Sequence, residues 1–486
     1  MTRDDMQKVL EIGISLSEEK DFNRLLEKIL EQVMEITNCD AGTLYLKDGD
    51  FLKFKIMRND TMKTYQGGDG KDPGLPPVPI TRQSVCALAL LEDHTICVED
   101  VRNSENYDFS GPIRYDAMTG YHTQSILVVP MHNRRGTSVG VLQLINAMDK
   151  DGKVCAFGQD MVMVVESIAS QAAITIQNMM YIEDIRGLFQ SFVKVMSSAI
   201  DERTPYNASH TRHMVQYGNH FIKYLNQKSR EENGKCLFTP AQEEELLMSV
   251  WLHDVGKLVT PLEVMNKAAR LTEEQKKEIF HRYEVMELKN KLALLEEKQS
   301  AEEAERQAQE IAKARELVER INSAGFLPEE ALQQLQELGE AVFSDGNGNQ
   351  MPFLTPEERK LLSIRKGTLS EEERKIMENH VVITEKLLSE IRFTSDYSHV
   401  REWASSHHEY LDGSGYPKQL KGQEVPMEVR IITILDIFDA LIADDRPYKP
   451  GMPVDKALTI LTIMAEKEGK LDPQLTKQFV ESRCWE

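Results

Sequence analysis

The feature that most constrains this chain is the stretch 161–200, which contains no proline and a single glycine, Gly187. Apolar side chains recur along it at spacings of three and four, from Met161 to Met196. Positions three and four apart share one face of a helix, so the stretch predicts one long helix. At 486 residues the chain is also too long for one ordinary core. Domain-size statistics favour roughly two to four folding units, so we expect two domains plus a further element, with this helix as the connection.

The connecting helix, assigned to residues 161–200, has two interpretations. It either packs only on its own domain or forms a parallel coiled coil with a second copy. The spacings of three and four persist across the expected domain boundary, as in a coiled coil. We therefore favour a homodimer joined through this helix.

The N-terminal part alternates between helical and strand-like patterns. Residues 21–38 place apolar side chains at helical spacing, and residues 41–57 alternate around Gly49 like a hairpin. Residues 125–146 contain two apolar strands separated by an Arg-Arg-Gly turn. These patterns predict an α+β domain.

Specific stretches of this part resemble GAF domains. They are TGYHTQSILVVPM, then GVLQLIN, then a closing helix, and the resemblance covers residues 18–180. It implies a sensor fold but no particular ligand. The motif of cyclic-nucleotide-binding members is matched only partly, because Ala147 and Met161 stand where its lysine and glutamate are expected. The ligand of this GAF-like domain stays unassigned.

The C-terminal part, residues 201–272 and 352–486, is mainly helical in pattern, and residues 273–350 interrupt it. That insertion is rich in Glu, Gln, Ala and Lys, with breaks at AGFLP and DGNGN. It predicts long helices folded into an antiparallel arm, either a solvated projection, which we favour slightly, or a protein-binding arm. Its predicted apolar stripe is Val285, Leu288, Leu292, Leu295, Ala304, Ala308, Ile311 and Val318.

Histidine and carboxylate side chains are the candidate functional groups of the C-terminal part. The pair His253-Asp254 lies in WLHDVGKL at a predicted helix end, and further candidates follow along the chain: His210, His380, His407, His408 and Asp436. Imidazole and carboxylate ligands without a thiolate suit iron, manganese or zinc. We expect a two-metal site, with iron or manganese preferred to zinc.

Two metal ions can clamp a phosphodiester, acidify a water and stabilise charge on the leaving oxygen. Asp254 is the natural carboxylate to bridge them. Lys257 follows His253 by four residues, so on a continuous helix both would share a face. Its ammonium is a candidate to bind phosphate or to assist the leaving group.

The combination of HDVGK with HHEYLDGSGYP resembles the HD-GYP family, over residues 190–272 and 352–480. The resemblance implies an all-α domain that hydrolyses cyclic di-GMP to pGpG or GMP at a two- or three-metal centre in bacterial signalling. It assigns Lys257 to the active site, together with metal ligands at His210, His253, Asp254, His380, His407, His408 and Asp436. It further implies substrate contacts at Gly415, Tyr416, Pro417, Arg446 and Lys449.

Three positions depart from or qualify this pattern. Trinuclear members carry a glutamate where this chain has Tyr206, so we predict two metals rather than three. Residue 213 is His where Arg is common, and we keep His210 as the ligand. Asp439 is expected only to cap or brace its helix.

Composition excludes other classes. With 58 Lys and Arg against 79 Asp and Glu, the formal charge is −21, which argues against a nucleic-acid binder. No apolar run is long enough to span a membrane, and the scattered cysteines suggest reduced thiols, so we expect a cytoplasmic protein.

Alternatives to a cyclic di-GMP phosphodiesterase are a weak or inactive cyclic-dinucleotide receptor, a hydrolase of another cyclic dinucleotide such as cyclic GMP-AMP, and a different phosphohydrolase.

Overall fold

A computed structural model of the chain describes residues 3–68, 73–104, 106–133, 135–203, 209–345, 348–443 and 451–486. It divides into two compact units, Met1–Leu188 and Phe189–Glu486. None of the helices among the described residues combines the length and apolar composition that a bilayer span requires.

The first unit is an α+β domain, as the sequence predicts. Its helices are α1 (Arg3–Glu18), α2 (Phe22–Thr37), α3 (Val85–Leu91), α4 (Ser110–Thr119) and the first part of α5 (Gln159–Asp201). Its strands are β1 (Cys39–Asp48), β2 (Phe51–Asn59), β3 (Thr64–Gly67), β4 (Val78–Pro79), β5 (Ile96–Val98), β6 (Ile126–His132), β7 (Ser138–Met148) and β8 (Val154–Cys155).

These strands form one antiparallel sheet in the order β3-β2-β1-β7-β6-β5, with β4 paired to β2 and β8 to β7. Successive side chains of a strand point to opposite faces. Thus Leu44 packs in the core that includes α2 and α5, whereas Tyr45 packs in the core that includes α3. Helices cover both faces, so the central strand β1 is buried along most of its length.

A cavity of about 470 Å³ lies in this unit, on the sheet face that carries Tyr45. At its wall the amide oxygen of Gln143 accepts hydrogen bonds from the Tyr45 hydroxyl, at 3.3 Å, and from the Cys86 thiol, at 2.6 Å. Its volume is sufficient for a small molecule.

Helix α5 begins within the core of the first unit, where Val165, Ile168 and Ile176 are buried. Further along, apolar side chains on the same helix are exposed to between 57% and 73%: Ile185, Leu188, Phe192 and Val195. Their spacing of three, four and three residues places them on one face.

The second unit is mainly helical. After α5 its helices are α6 (His210–Asn233), α7 (Pro240–Leu252), α8 (Leu262–Met265), α9 (Glu273–Leu295), α10 (Ala301–Asn322), α11 (Glu329–Glu340), α12 (Pro356–Leu362), α13 (Glu371–Glu378), α14 (His380–Ser389), α15 (Val400–Ser405), α16 (Met427–Ile442), α17 (Val454–Glu466) and α18 (Pro473–Ser482). Its largest core joins α6, α7, α16, α17 and α18.

Helices α9, α10, α11 and α12 share a separate core around Tyr283 and Ile311. The predicted helices of the insertion are present, and β9 (Val342–Ser344) and β10 (Gln350–Pro352) add a two-stranded antiparallel sheet after α11. The predicted stripe was partly wrong. Leu288, Leu292 and Leu295 are exposed, and α9 instead buries the face that carries Ile279, Tyr283, Met286 and Ala293.

Candidate metal centre

One helix end and a tight turn bring the histidine and aspartate of HDVGK to the site. Helix α7 ends at Leu252, and His253 is its C-terminal cap. The expectation that Lys257 shares a helical face with His253 was wrong, because the chain turns at Asp254 into a 3-10 turn, Val255–Leu258. Gly256 explains the tightness of this turn. A Cβ at that position would lie 1.9 Å from the carbonyl oxygen of His380, so only glycine lets the turn approach α14 this closely.

The two carboxylate oxygens of Asp254 face two different sets of imidazoles. Oδ2 lies 3.3 Å from Nε2 of His253 and 3.9 Å from Nε2 of His210. Oδ1 lies 3.4 Å from Nε2 of His380 and 3.9 Å from Nε2 of His407. One buried carboxylate therefore stands between two groups of nitrogen donors.

Two groups of donors are each compact enough to hold one ion. The first group is His210, His253 and Asp254, and the second group is His380, His407 and His408; within each, the donor atoms lie within 4.8 Å of one another. Asp436 lies beside both, with Oδ1 3.3 Å from Nε2 of His210 and Oδ2 3.6 Å from Nδ1 of His408.

Buried atoms without partners indicate that these residues fit a metal pair. Nε2 of His253 and Oδ1 of Asp254 are buried and accept or donate no hydrogen bond among the described residues. Burying such an atom unpaired costs about 1–3 kcal/mol. Metal ions held by these residues would accept electron pairs from such atoms and remove this cost. Nitrogen and carboxylate donors without thiolate suit divalent transition metals.

The imidazoles of the second group are in the protonation state that binds a metal. Burial lowers the pKa of His380 and His407, and it lowers the pKa of His408 to about 3. All three rings are therefore neutral near pH 7, the form in which imidazole binds a metal.

The first group contains Asp254 and lies against two further carboxylates, Asp436 and Asp439. Burial raises the pKa of Asp254, but the charges of His253 and Lys257 outweigh it and hold that pKa well below its usual range. Burial lowers the pKa of His210, whereas its hydrogen bonds to Asp436 and Asp439 raise it to about 10. The carboxylates thus attract a positive charge at this position, which a divalent cation would supply in place of the proton.

Lys257 contacts the centre from the turn. Its ammonium nitrogen lies 2.5 Å from Oδ2 of Asp254. Burial lowers the pKa of Lys257, but the charges of Asp254 and Asp436 outweigh it and raise that pKa, so the ammonium is charged. The Arg203 guanidinium fixes the turn by donating to the carbonyl oxygens of Lys257, at 2.8 Å, and of Leu258.

The predicted GYP loop lies against His408. The ring of Tyr416 is centred 4.8 Å from the imidazole of His408, and its backbone N–H donates to the His408 carbonyl oxygen at 3.2 Å. Glu409, which is buried, accepts the backbone N–H groups of Lys418, at 2.6 Å, and Leu420, at 2.9 Å. Its carboxylate therefore fixes the segment that follows Gly415 and Pro417.

Some predicted positions lie apart from the centre or outside the described residues. Tyr206, Arg446 and Lys449 are outside them. His213 is 47% exposed, with Nδ1 3.5 Å from Oδ1 of Asp439, whereas His210 points its Nε2 at the cluster.

Sequence reasoning assigned no role at the site to Arg203 or Glu409. No local pattern marks Arg203, because its partners lie more than fifty residues away. Glu409 lies within the HHEYLDGSGYP motif, and its place in that motif is the sequence feature that could have identified it as a residue of the site.

Two family models match the chain in separate segments. Residues 21–176 match the GAF domain model, and residues 351–475 match an HD domain model. The chain contains a GAF domain and an HD domain. The matched HD segment includes His380, His407, His408 and Asp436, and the structure places His253 and Asp254, from outside that segment, directly against them.

Curated relatives of the chain are cyclic-dinucleotide phosphodiesterases by name. The 3'3'-cGAMP-specific phosphodiesterase 3 of Vibrio cholerae is 44% identical over 95 residues, which is 20% of each protein. The cyclic di-GMP phosphodiesterase response regulator RpfG of Xanthomonas campestris is 37% identical over 123 residues, 25% of this chain and 31% of the relative. The chain thus spans less than a third of the length of these relatives.

Solved structures similar to the chain include GAF domains. The GAF domain of an Acinetobacter phosphoenolpyruvate-protein phosphotransferase is 14% identical and covers 38% of this chain and 99% of its own, with a TM-score of 0.29. Free methionine-R-sulfoxide reductase of Neisseria meningitidis is 17% identical. The match covers 36% of this chain and 92% of the reductase chain, with a TM-score of 0.27.

Proposed function

We propose that this chain is a metal-dependent phosphodiesterase that hydrolyses cyclic di-GMP to pGpG, GMP or both, under the control of its GAF domain. The observation that carries the proposal is the position of Asp254, whose two oxygens face two separate groups of imidazoles. A carboxylate in this position can bridge two ions. A bridged ion pair is the arrangement that stabilises both the attacking and the leaving oxygen of a phosphodiester.

We expect two divalent ions per chain, with iron or manganese preferred to zinc, and all three metals suit imidazole and carboxylate donors. The donors comprise imidazole and carboxylate groups, with no thiolate in either group. When bound, the ions would acidify a water and stabilise charge on the phosphate oxygens. The ligand roles assigned to His210, His253, Asp254, His380, His407, His408 and Asp436 belong to this proposal.

The chain's own residues supply binding and proton transfer. The charged ammonium of Lys257, 2.5 Å from Oδ2 of Asp254, is placed to contact a phosphate oxygen or to give a proton to the leaving oxygen. Tyr416, on the predicted loop of Gly415, Tyr416 and Pro417, offers an aromatic face beside His408. We assign Arg446 and Lys449 to the substrate phosphates on the resemblance alone.

The substrate is tested by comparing turnover of cyclic di-GMP and 3'3'-cyclic GMP-AMP, because relatives are named for each. The wild-type chain should hydrolyse cyclic di-GMP faster, and Asp254→Asn should abolish hydrolysis of both. A matched control is Glu245→Gln, which alters a buried carboxylate beside His399, at 3.2 Å, away from the centre. Preference for the mixed dinucleotide would reassign the substrate, and binding without turnover would support a receptor.

Contacts at the end of α5 support control of the site through that helix. Asp201, its last residue, accepts a hydrogen bond at 3.1 Å from the hydroxyl of Thr211, the neighbour of His210. Arg203, two residues later, holds the turn that carries Lys257. A shift of this helix end would therefore move both a ligand and the active-site lysine.

We also propose that the chain forms a homodimer through α5. Support comes from its exposed apolar face, with Ile185, Leu188, Phe192 and Val195 at coiled-coil spacing. Leu188→Glu should then lower the mass measured by analytical ultracentrifugation from two chains to one. A protein partner at residues 273–350 and a cytoplasmic location stay predictions from the sequence.

A further inference from the structure

The imidazoles of the centre differ in the group that forms a hydrogen bond with Nδ1 of the ring. Three of them bond through Nδ1 to a backbone carbonyl oxygen three residues earlier, each at 2.7 Å: His253 to Val250, His380 to Met377 and His407 to Ala404. This bond leaves Nε2 as the electron-pair donor directed into the centre. The backbone carbonyl is a neutral partner.

His210 bonds instead to a carboxylate. Its Nδ1 lies 2.6 Å from Oδ2 of Asp439. Asp439 is 2% exposed and stands three residues after Asp436 on α16, so both acids share one face of that helix. The pair therefore contacts both nitrogens of the same ring, with Asp436 at Nε2 and Asp439 at Nδ1.

Asp439 engages little else among the described residues. Its Oδ1 makes no hydrogen bond there, and the nearest basic atom is Nδ1 of His213 at 3.5 Å. Because a buried carboxylate is costly unless it is paired, its main compensation is the bond to His210. The role of Asp439 thus goes beyond bracing α16.

We propose that Asp439 is a positioning residue that makes the two metal subsites unequal. A carboxylate partner fixes the ring and its proton and makes the imidazole a stronger donor than a carbonyl partner does. The subsite of His210, His253 and Asp254 therefore binds its ion more tightly and fills first. The subsite of His380, His407 and His408, where two rings have carbonyl partners, fills second. The inference rests on the proposed metal centre.

The test is calorimetric titration of the metal-depleted full chain with Mn²⁺ under anaerobic conditions. The wild type should bind two ions in two resolved steps. Asp439→Asn should weaken the tighter step by about 10- to 100-fold and leave the weaker step unchanged. A purely structural role would weaken both steps, which would overturn the inference, as would an unchanged titration.

Glu245→Gln is the matched control, because it also alters a buried carboxylate beside a histidine, His399, in the same unit. It should leave both steps unchanged. A double-mutant cycle then tests the route of the effect. If Asp439 acts through His210, adding Asp439→Asn to His210→Ala should cause no further loss of Mn²⁺ affinity, whereas an additive loss would contradict the inference.

A further variant guards against misfolding of Asp439→Asn. Asp439→Glu keeps a carboxylate and should retain the tighter step at an intermediate affinity, and equal weakening by both variants would overturn the inference. Failure of the proposed metal centre gives a different result. A wild-type chain that binds no Mn²⁺ would refute the metal centre itself, whereas the results above would refute only the difference between its two subsites.

Discussion

The ammonium nitrogen of Lys257 lies 2.5 Å from Oδ2 of Asp254, the oxygen that also faces His210 and His253. The lysine thus lies at the edge of one metal subsite without belonging to either group of donors. In the proposed function its charge contacts a substrate phosphate. That proposal gives Lys257 a role in catalysis and Asp254 a role in metal binding.

Replacing Lys257 by methionine should lower kcat by about 10²- to 10³-fold, the usual loss when one stabilising donor is removed. Metal content should stay at the wild-type level, because the donors remain. Both are measured on the same preparation, by turnover of cyclic di-GMP and by elemental analysis. The control is Lys267→Met, which removes another lysine paired with a carboxylate, Glu373 at 2.7 Å, and should keep kcat. Loss of metal from Lys257→Met would contradict a catalytic role.

Gly256→Ala should destabilise the second unit by about 1–3 kcal/mol, the usual cost of overpacking. The added Cβ would lie 1.9 Å from the His380 carbonyl oxygen and 2.7 Å from the Thr384 backbone nitrogen, so α14 must move. His380 is displaced with it, and metal content should fall. Urea unfolding and elemental analysis measure the two effects. Gly325→Ala, where a Cβ meets no atom within 4 Å, should change neither, and equal effects would refute the steric argument.

The pair of Arg282 and Glu358 predicts a pH-dependent contribution to the core of α9–α12. Both terminal guanidinium nitrogens of Arg282, Nη1 and Nη2, donate to the Glu358 carboxylate at 2.8 Å. Burial raises the pKa of Glu358, but the bonds from Arg282 and Thr355 outweigh it and lower that pKa. A lowered pKa gives stability that is present above the unfolded value, about 4.3, and lost as pH falls through the folded value.

Glu358→Gln should therefore lower the free energy of unfolding at pH 7 by about 1–3 kcal/mol. The difference from the wild type should shrink below about pH 4, where the wild-type carboxylate is protonated as well. Thermal unfolding of both proteins from pH 7 to below about pH 4 measures this difference in the free energy of unfolding. Glu329→Gln breaks an exposed pair with Arg365 and should have almost no effect. A difference for Glu358→Gln that grows toward low pH would contradict the assigned sign.

Much of the fold follows from local pattern. The hairpin around Gly49 appears as β1 and β2, and the strands on either side of the predicted turn appear as β6 and β7. These elements are predictable because the alternation of apolar side chains and the turn residues agree with each other. Four of the ligand candidates, His253, Asp254, His407 and His408, were predictable because they lie in the motifs HDVGK and HHEYLDGSGYP.

The features that the sequence misses depend on tertiary contacts. Helix α9 carries two apolar faces with the same spacing, and only packing against α10 selects the face of Tyr283 and Met286 over that of Leu288 and Leu292. The turn at Gly256 follows from the approach of α14, which no local pattern records. The bond between His210 and Asp439 joins residues 229 positions apart in sequence.

The measurement that tests the central proposal most directly combines metal content and cyclic di-GMP turnover on one anaerobic preparation of the full chain, with products separated by chromatography. The proposal predicts two iron or manganese ions per chain together with conversion of cyclic di-GMP to pGpG or GMP, and loss of both in Asp254→Asn. Two bound ions without hydrolysis of any cyclic dinucleotide, or undiminished hydrolysis by the metal-free chain, would contradict it.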